Sequence, residues 1–140
     1  MATRTLQEVG LAIKRAQHRH HRALDTRLSE LGLSLVQWDA LRHLDAHPGC
    51  SLHDLARLTF QSDQACGTLA ARMADRGLIR RLGGPGRAVR HGVTPMGRRL
   101  LAQGGAVADA VFAESFDGLS ARQLDLLASL LDQVNSPFPT

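Results

Sequence analysis

Apolar residues recur at Leu6, Val9, Ile13, Ala16, Leu24, Leu28 and Leu31, a three-and-four spacing that places them on one face of a long first helix. Lys14, Arg15, Arg19 and Arg22 fall on the opposite face, and Gly32 supplies the stop. A helix this long and this one-sided predicts packing against a partner. Ser34 with Gln37 three residues on forms a capping box, which opens a second helix carrying Leu35, Trp38, Leu41 and Leu44 inward. That helix must end before His47-Pro48-Gly49, because proline disfavours helical geometry in the residue before it.

Ser51 and Asp54 repeat the capping signature for a short third helix, and Ser62 caps a fourth. Only a tight turn fits between Thr59 and Ser62, so these two helices meet steeply, as in a helix-turn-helix unit. On the fourth helix Cys66, Leu69 and Met73 make the expected buried stripe, while Gln64, Gly67, Thr68, Ala71 and Arg72 point outward. A small, polar outer face suits a helix lying in a major groove, where short donors and acceptors reach base edges. An ordinary solvated helix face would show a similar pattern.

Gly77 ends the fourth helix, and the strand-like Leu78 to Leu82 leads into the turn Gly83-Gly84-Pro85-Gly86, after which Arg87 to Val93 returns. The result is a two-stranded hairpin with a basic tip, placed as a wing directly after the candidate recognition helix. Thr94-Pro95 opens a fifth helix with Leu100, Leu101, Val107, Val111 and Phe112 on its apolar face. Gly104-Gly105 within it predicts a bend or a close helix contact. Ser120 with Gln123 opens a last helix through Leu124, Leu127, Leu131 and Val134.

A length of 140 residues fits one domain, and with 4% aromatics and no tyrosine the interior must come from Leu, Ala and Val on helices. The expected fold is mostly α with a small β-hairpin wing. A formal net charge of +4 suits a polyanionic partner. Two cysteines without a C-x-x-C pair point to a reducing compartment, and no apolar run approaches a membrane span, so a cytoplasmic protein with no membrane partner is expected. No G-x-S-x-G, P-loop or H-E-x-x-H motif occurs, which argues against an enzyme and against a cofactor.

Seven histidines are many for this length. His43 and His47 lie four apart and His18 and His21 three apart, spacings that can hold zinc, yet no cysteine or carboxylate set completes a site, so no metal is expected. His20 falls on the apolar stripe of the first helix and is expected at an interface or pocket wall facing Trp38. His20, Trp38 and His43 are the candidate ligand-binding residues. Cys66 shares the buried stripe and should be inert, and Cys50 has no clear activating base.

The order helix, helix, helix-turn-helix, wing, helix, helix resembles the MarR family of winged-helix regulators across nearly the whole length. The strongest local likeness is in Ala74-Asp75-Arg76-Gly77-Leu78-Ile79-Arg80-Arg81, like the family's entry to the wing, and in Val93-Thr94-Pro95-Met96-Gly97, like its exit. The resemblance implies a single domain over residues 1–140, with dimerisation helices in about 1–33 and 95–140 and a winged helix-turn-helix lobe in 34–94. It also implies a homodimer on a pseudo-palindromic double-stranded operator, a small aromatic or other effector in a cleft between the two regions, and action as a repressor.

DNA contact is then expected from Ser62, Gln64, Gly67, Thr68 and Arg72, with Arg87 and Arg90 of the wing at the minor groove. Two positions depart from the family pattern: Pro85 and Gly86 stand where an Asp usually precedes the wing arginine, and Thr68 stands where the recognition helix often carries an arginine. A winged-helix interaction module without specific DNA binding, or a redox- or metal-responsive regulator, are the alternative readings.

Overall fold

The structure is a computed structural model and describes residues 3–83 and 88–137. Among the described residues six α-helices run in order as α1 (Leu6–Leu28), α2 (Leu35–Ala46), α3 (Leu52–Leu58), α4 (Asp63–Asp75), α5 (Pro95–Ser115) and α6 (Ala121–Val134). Strands β1 (Ile79–Leu82) and β2 (Arg90–Val93) sit between α4 and α5 and pair antiparallel, with Ile79 opposite Val93 and Leu82 opposite Arg90. Mostly α with a hairpin wing is therefore the observed architecture.

Local chemistry sets the starts of these helices. Ser34–Gln37, Ser51–Asp54 and Ser120–Gln123 all close reciprocal capping boxes, and Thr5–Glu8 closes a fourth at the head of α1. Ser62 caps α4 by accepting from Ala65 N at 3.1 Å. Each such cap is worth about 1 kcal/mol because it satisfies backbone N–H groups that the helix leaves free. Helix α1 stops at Leu28, earlier than the apolar pattern suggests; a 3-10 turn at Ser29–Leu31 follows and ends at Gly32, whose φ of 73° is left-handed.

The core gathers Leu24, Leu28, Leu33, Leu41, Leu44, Leu55, Cys66, Met73, Leu78, Ile79 and Val111. On α4 the buried stripe is Cys66, Ala70 and Met73 rather than Cys66, Leu69 and Met73, and Leu69 is only half-buried. Both spacings satisfy a helical face, and the packing against α3 and β1 selects the four-residue step.

Gly97 joins the wing to α5. A Cβ there would collide with the Leu78 carbonyl oxygen, and Thr94 next door donates its hydroxyl to the Gly77 carbonyl at 2.5 Å while accepting from Gly97 N at 3.1 Å. The segments around Gly77 and Thr94 thus form one joint. At Gly104–Gly105 a close helix contact occurs and α5 continues through it: Gly104 lies under Trp38, with no room for a Cβ, whereas Gly105 has open space.

Helix α6 buries no residue, and Leu126, Leu130 and Val134 on it are exposed. Leu6, Val9, Leu11 and Ile13 at the head of α1 are exposed as well. No helix among the described residues is long and apolar enough to cross a membrane.

Candidate nucleic-acid interface and adjoining cleft

Helices α3 and α4 meet through Thr59–Ser62, and backbone hydrogen bonds fix that turn. Thr59 N donates to Leu55 O at 3.0 Å and Gln61 N to Ala56 O at 2.8 Å. Between them Phe60 takes a left-handed φ of 57° and leaves its ring 98% exposed. A bulky residue in that region is strained, since its Cβ crowds the backbone. Nothing in the hydrophobic pattern singled out Phe60.

Ser62, Gln64, Thr68 and Arg72 share one exposed surface of α4, with Ala65 and Leu69 at its floor. Four of the five α4 residues expected at DNA are brought together there. Gly67 is not: it is half-buried, and a Cβ on it would meet Leu52 of α3 at 3.8 Å. It faces the packing between α3 and α4, beside the Cys66 thiol, which lies 3.7 Å from Leu52 O. Thr68 donates its hydroxyl to Gln64 O at 3.1 Å, so toward a base edge it offers an acceptor.

Arg80 and Arg81 are exposed on β1. Arg90 on β2 was expected to reach toward DNA, and its guanidinium instead donates to the Gly49 carbonyl. Its backbone bridges Ser51, and Leu52 N donates to Val89 O at 2.8 Å, so the returning strand is tied to the start of α3. Arg87 lies outside the described residues. His91, beside Arg90, turns inward and is 8% exposed. Burial first, and the neighbouring Arg81 cation second, hold its imidazole below the usual histidine range. Strand alternation, with Arg90 outward, would have marked His91 as the inward residue.

A cleft of about 570 Å³ opens between α1, α2 and the α3–α4 turn, a size suited to a small organic molecule. Trp38 forms one wall. Its indole N–H donates to Leu101 O at 3.2 Å, and the Arg42 guanidinium lies 5.5 Å from its ring centre while pairing with Asp39 at 3.1 Å. Leu24, Leu35 and Phe112 add apolar surface, and Gln17, His21, Thr59 and Gln61 add polar groups.

His20 does not face Trp38. Its Nε2 lies 2.5 Å from Ser115 Oγ, and its ring meets Phe112 and Phe116 edge-on at 5.1 and 5.5 Å. It lines a second groove with Arg19, Arg22, Arg27 and Glu114. His43 lies outside the Trp38 cleft, 3.5 Å from Asp39 and stacked on His47. The three expected ligand residues are therefore not one site; His21, three residues before the buried Leu24, takes the histidine place in the cleft.

Burial pushes both thiols up, with Asp54 adding at the half-buried Cys50 and Asp63 adding at the buried Cys66. Among the described residues no three His, Cys, Asp or Glu side chains converge as a metal site would require.

A helix-turn-helix whose second helix shows a small polar face, followed by an arginine-bearing hairpin docked on its first helix, defines a winged helix-turn-helix protein. The MarR family model matches residues 31–88. Over 111 residues, 78% of this chain and 80% of the relative, the sequence is 32% identical to the HTH-type transcriptional repressor Rv2887 of Mycobacterium tuberculosis. Two solved structures of Rv2887 superpose on this chain. The complex with DNA has a TM-score of 0.79 at 27% identity, covering 96% of this chain and 100% of that one. The complex with p-aminosalicylic acid has a TM-score of 0.76 at 29% identity, covering 91% and 98%. The chain belongs to the MarR family.

Proposed function

We propose that this protein is a sequence-specific double-stranded DNA-binding transcriptional repressor that acts as a homodimer and is modulated by a small aromatic ligand. One observation carries the reading: Ser62, Gln64, Thr68 and Arg72 share an exposed face on the second helix of a winged helix-turn-helix whose sequence relative is a repressor. Residues 34–94 form the DNA-binding lobe, and residues 1–33 and 95–140 supply the helices that join two copies. The unpartnered leucines of α6 and of the α1 head support that division. Arg87, together with Arg80 and Arg81 of β1, supplies positive charge to the backbone and minor groove. Arg90 positions the hairpin.

The effector site is the Trp38 cleft, where an aromatic ring can stack on the indole and an acidic group can face Arg42. Rv2887 binds p-aminosalicylic acid, which has that chemistry.

Fluorescence anisotropy with duplex from the DNA flanking its own coding sequence tests the reading. Tight binding that weakens steeply with salt, and that exceeds binding to unrelated duplex by about a thousandfold, is expected. Arg87→Ala lowers the affinity and flattens the salt dependence, and salicylate shifts the titration. Equal affinity for every duplex would return the protein to the class of winged-helix interaction modules.

A further inference from the structure

Helix α4 begins at Asp63, and a neighbouring helix holds its carboxylate in place. Nδ1 of His53, the second residue of α3, lies 2.9 Å from Asp63 Oδ1. The two side chains are 63% and 68% exposed, so the bond stands on the surface, on the same first turn of α4 that carries Gln64. Resting on the reading of α4 as the recognition helix, we propose that Asp63, oriented by His53, is a base-reading residue that selects cytosine in the major groove.

Stability alone gives little reason for this arrangement. Exposed ion pairs contribute little, and an aspartate in the first helical turn gains from the helix dipole with or without a histidine beside it. What the His53 bond does is remove rotational freedom from a short side chain at the leading end of the helix, so that less ordering remains when DNA arrives. A carboxylate there cannot rest against a phosphate, because the charges repel. Its favourable partner is a donor on a base edge.

An ionised carboxylate only accepts hydrogen bonds. In the major groove guanine shows two acceptors, thymine an acceptor and a methyl group, and adenine an amino group flanked by its own N7 acceptor. Cytosine alone presents an amino donor with no acceptor beside it on the same base. With Oδ1 engaged by His53, Oδ2 remains to accept from the cytosine N4 amino group. His53 acts through Asp63 and is a positioning residue.

The test is selection from a randomised duplex pool by the full-length protein, run for wild type, Asp63→Asn, His53→Ala and His53→Gln, with thermal melting of each. Wild type should recover a symmetric consensus with cytosine at one position per half-site, and replacing that C·G pair should cost about tenfold in affinity. Asp63→Asn should move the preference from cytosine to adenine, because an amide offers the paired donor and acceptor that adenine N7 and N6 match. His53→Ala, with Asp63 intact, should narrow the discrimination, and His53→Gln, which keeps a donor, should restore it, at nearly unchanged melting temperatures. A wild-type consensus recovered unaltered by Asp63→Asn overturns the inference while leaving the repressor reading intact. A wild type that recovers no consensus overturns that reading itself.

Discussion

Leu41, Leu55, Cys66, Met73 and Leu78, all between α2 and β1, are 2% exposed or less, whereas α6, with five leucines in fourteen residues, buries none of them. Both regions follow the same amphipathic rule. The lobe finds its apolar counterpart inside the chain, and α6 together with the head of α1 does not. Burying one leucine is worth about 1.5–3 kcal/mol, so a row of exposed leucines is a large unused driving force for association. The helix-turn-helix lobe closes its core within one chain, and the exposed apolar face of the other region is the one we propose a second copy covers.

That contrast can be broken from either side. The largest effect is expected at Leu41, fully buried in the lobe: Leu41→Ala should lower stability by about 2–5 kcal/mol through the cavity it leaves, read by chemical denaturation. Next, replacing Leu127 and Leu131 together with Glu should leave the lobe's helical circular dichroism in place, convert the dimer to a monomer by light scattering, and weaken DNA binding by about a hundredfold or more. Retention of the dimer in that variant would place the joining surface elsewhere.

Smaller changes sharpen the lobe. Phe60→Gly relieves the left-handed backbone at the helix-turn-helix corner and should stabilise by about 1 kcal/mol, seen as a higher melting temperature. Ser62→Ala should cost about as much by removing the α4 cap.

The smallest effect is pH-dependent. Burial and Arg81 hold His91 below its ordinary value, so the folded wing binds a proton less readily than the unfolded chain. Its contribution is full above the unfolded value of about 6.5 and is lost as pH falls toward the folded value. The protection factors of the amides at Leu82 and at Arg90 to Val93, which correct for slower intrinsic exchange in acid, should therefore fall at pH 5.5 relative to pH 7.5, and His91→Phe should remove the difference.

Much of the fold was legible because its boundaries are set by neighbours in sequence. Ser34, Ser51 and Ser120 cap the helices they were expected to cap, Gly32 ends the 3-10 turn that follows the first helix, and Gly104 makes the close contact its position suggested. Residues whose role depends on distant partners were not legible. Arg90 meets a carbonyl 41 residues away, and His20 meets Ser115 across 95 residues; no local pattern carries those distances. Gly67 looked outward on a helical wheel and proved to face Leu52, because the direction of α3 decides which side of α4 is covered. His91 was missed for a different reason: a polar residue within a short basic hairpin gives no apolar signal even when it points inward.

Sedimentation velocity of the protein with a duplex of about three helical turns, carrying its selected site, probes the completed dimer most directly. Two chains on each duplex, with no one-chain complex at sub-saturating protein, is the expected result. A single chain binding one duplex at full affinity and specificity would contradict it.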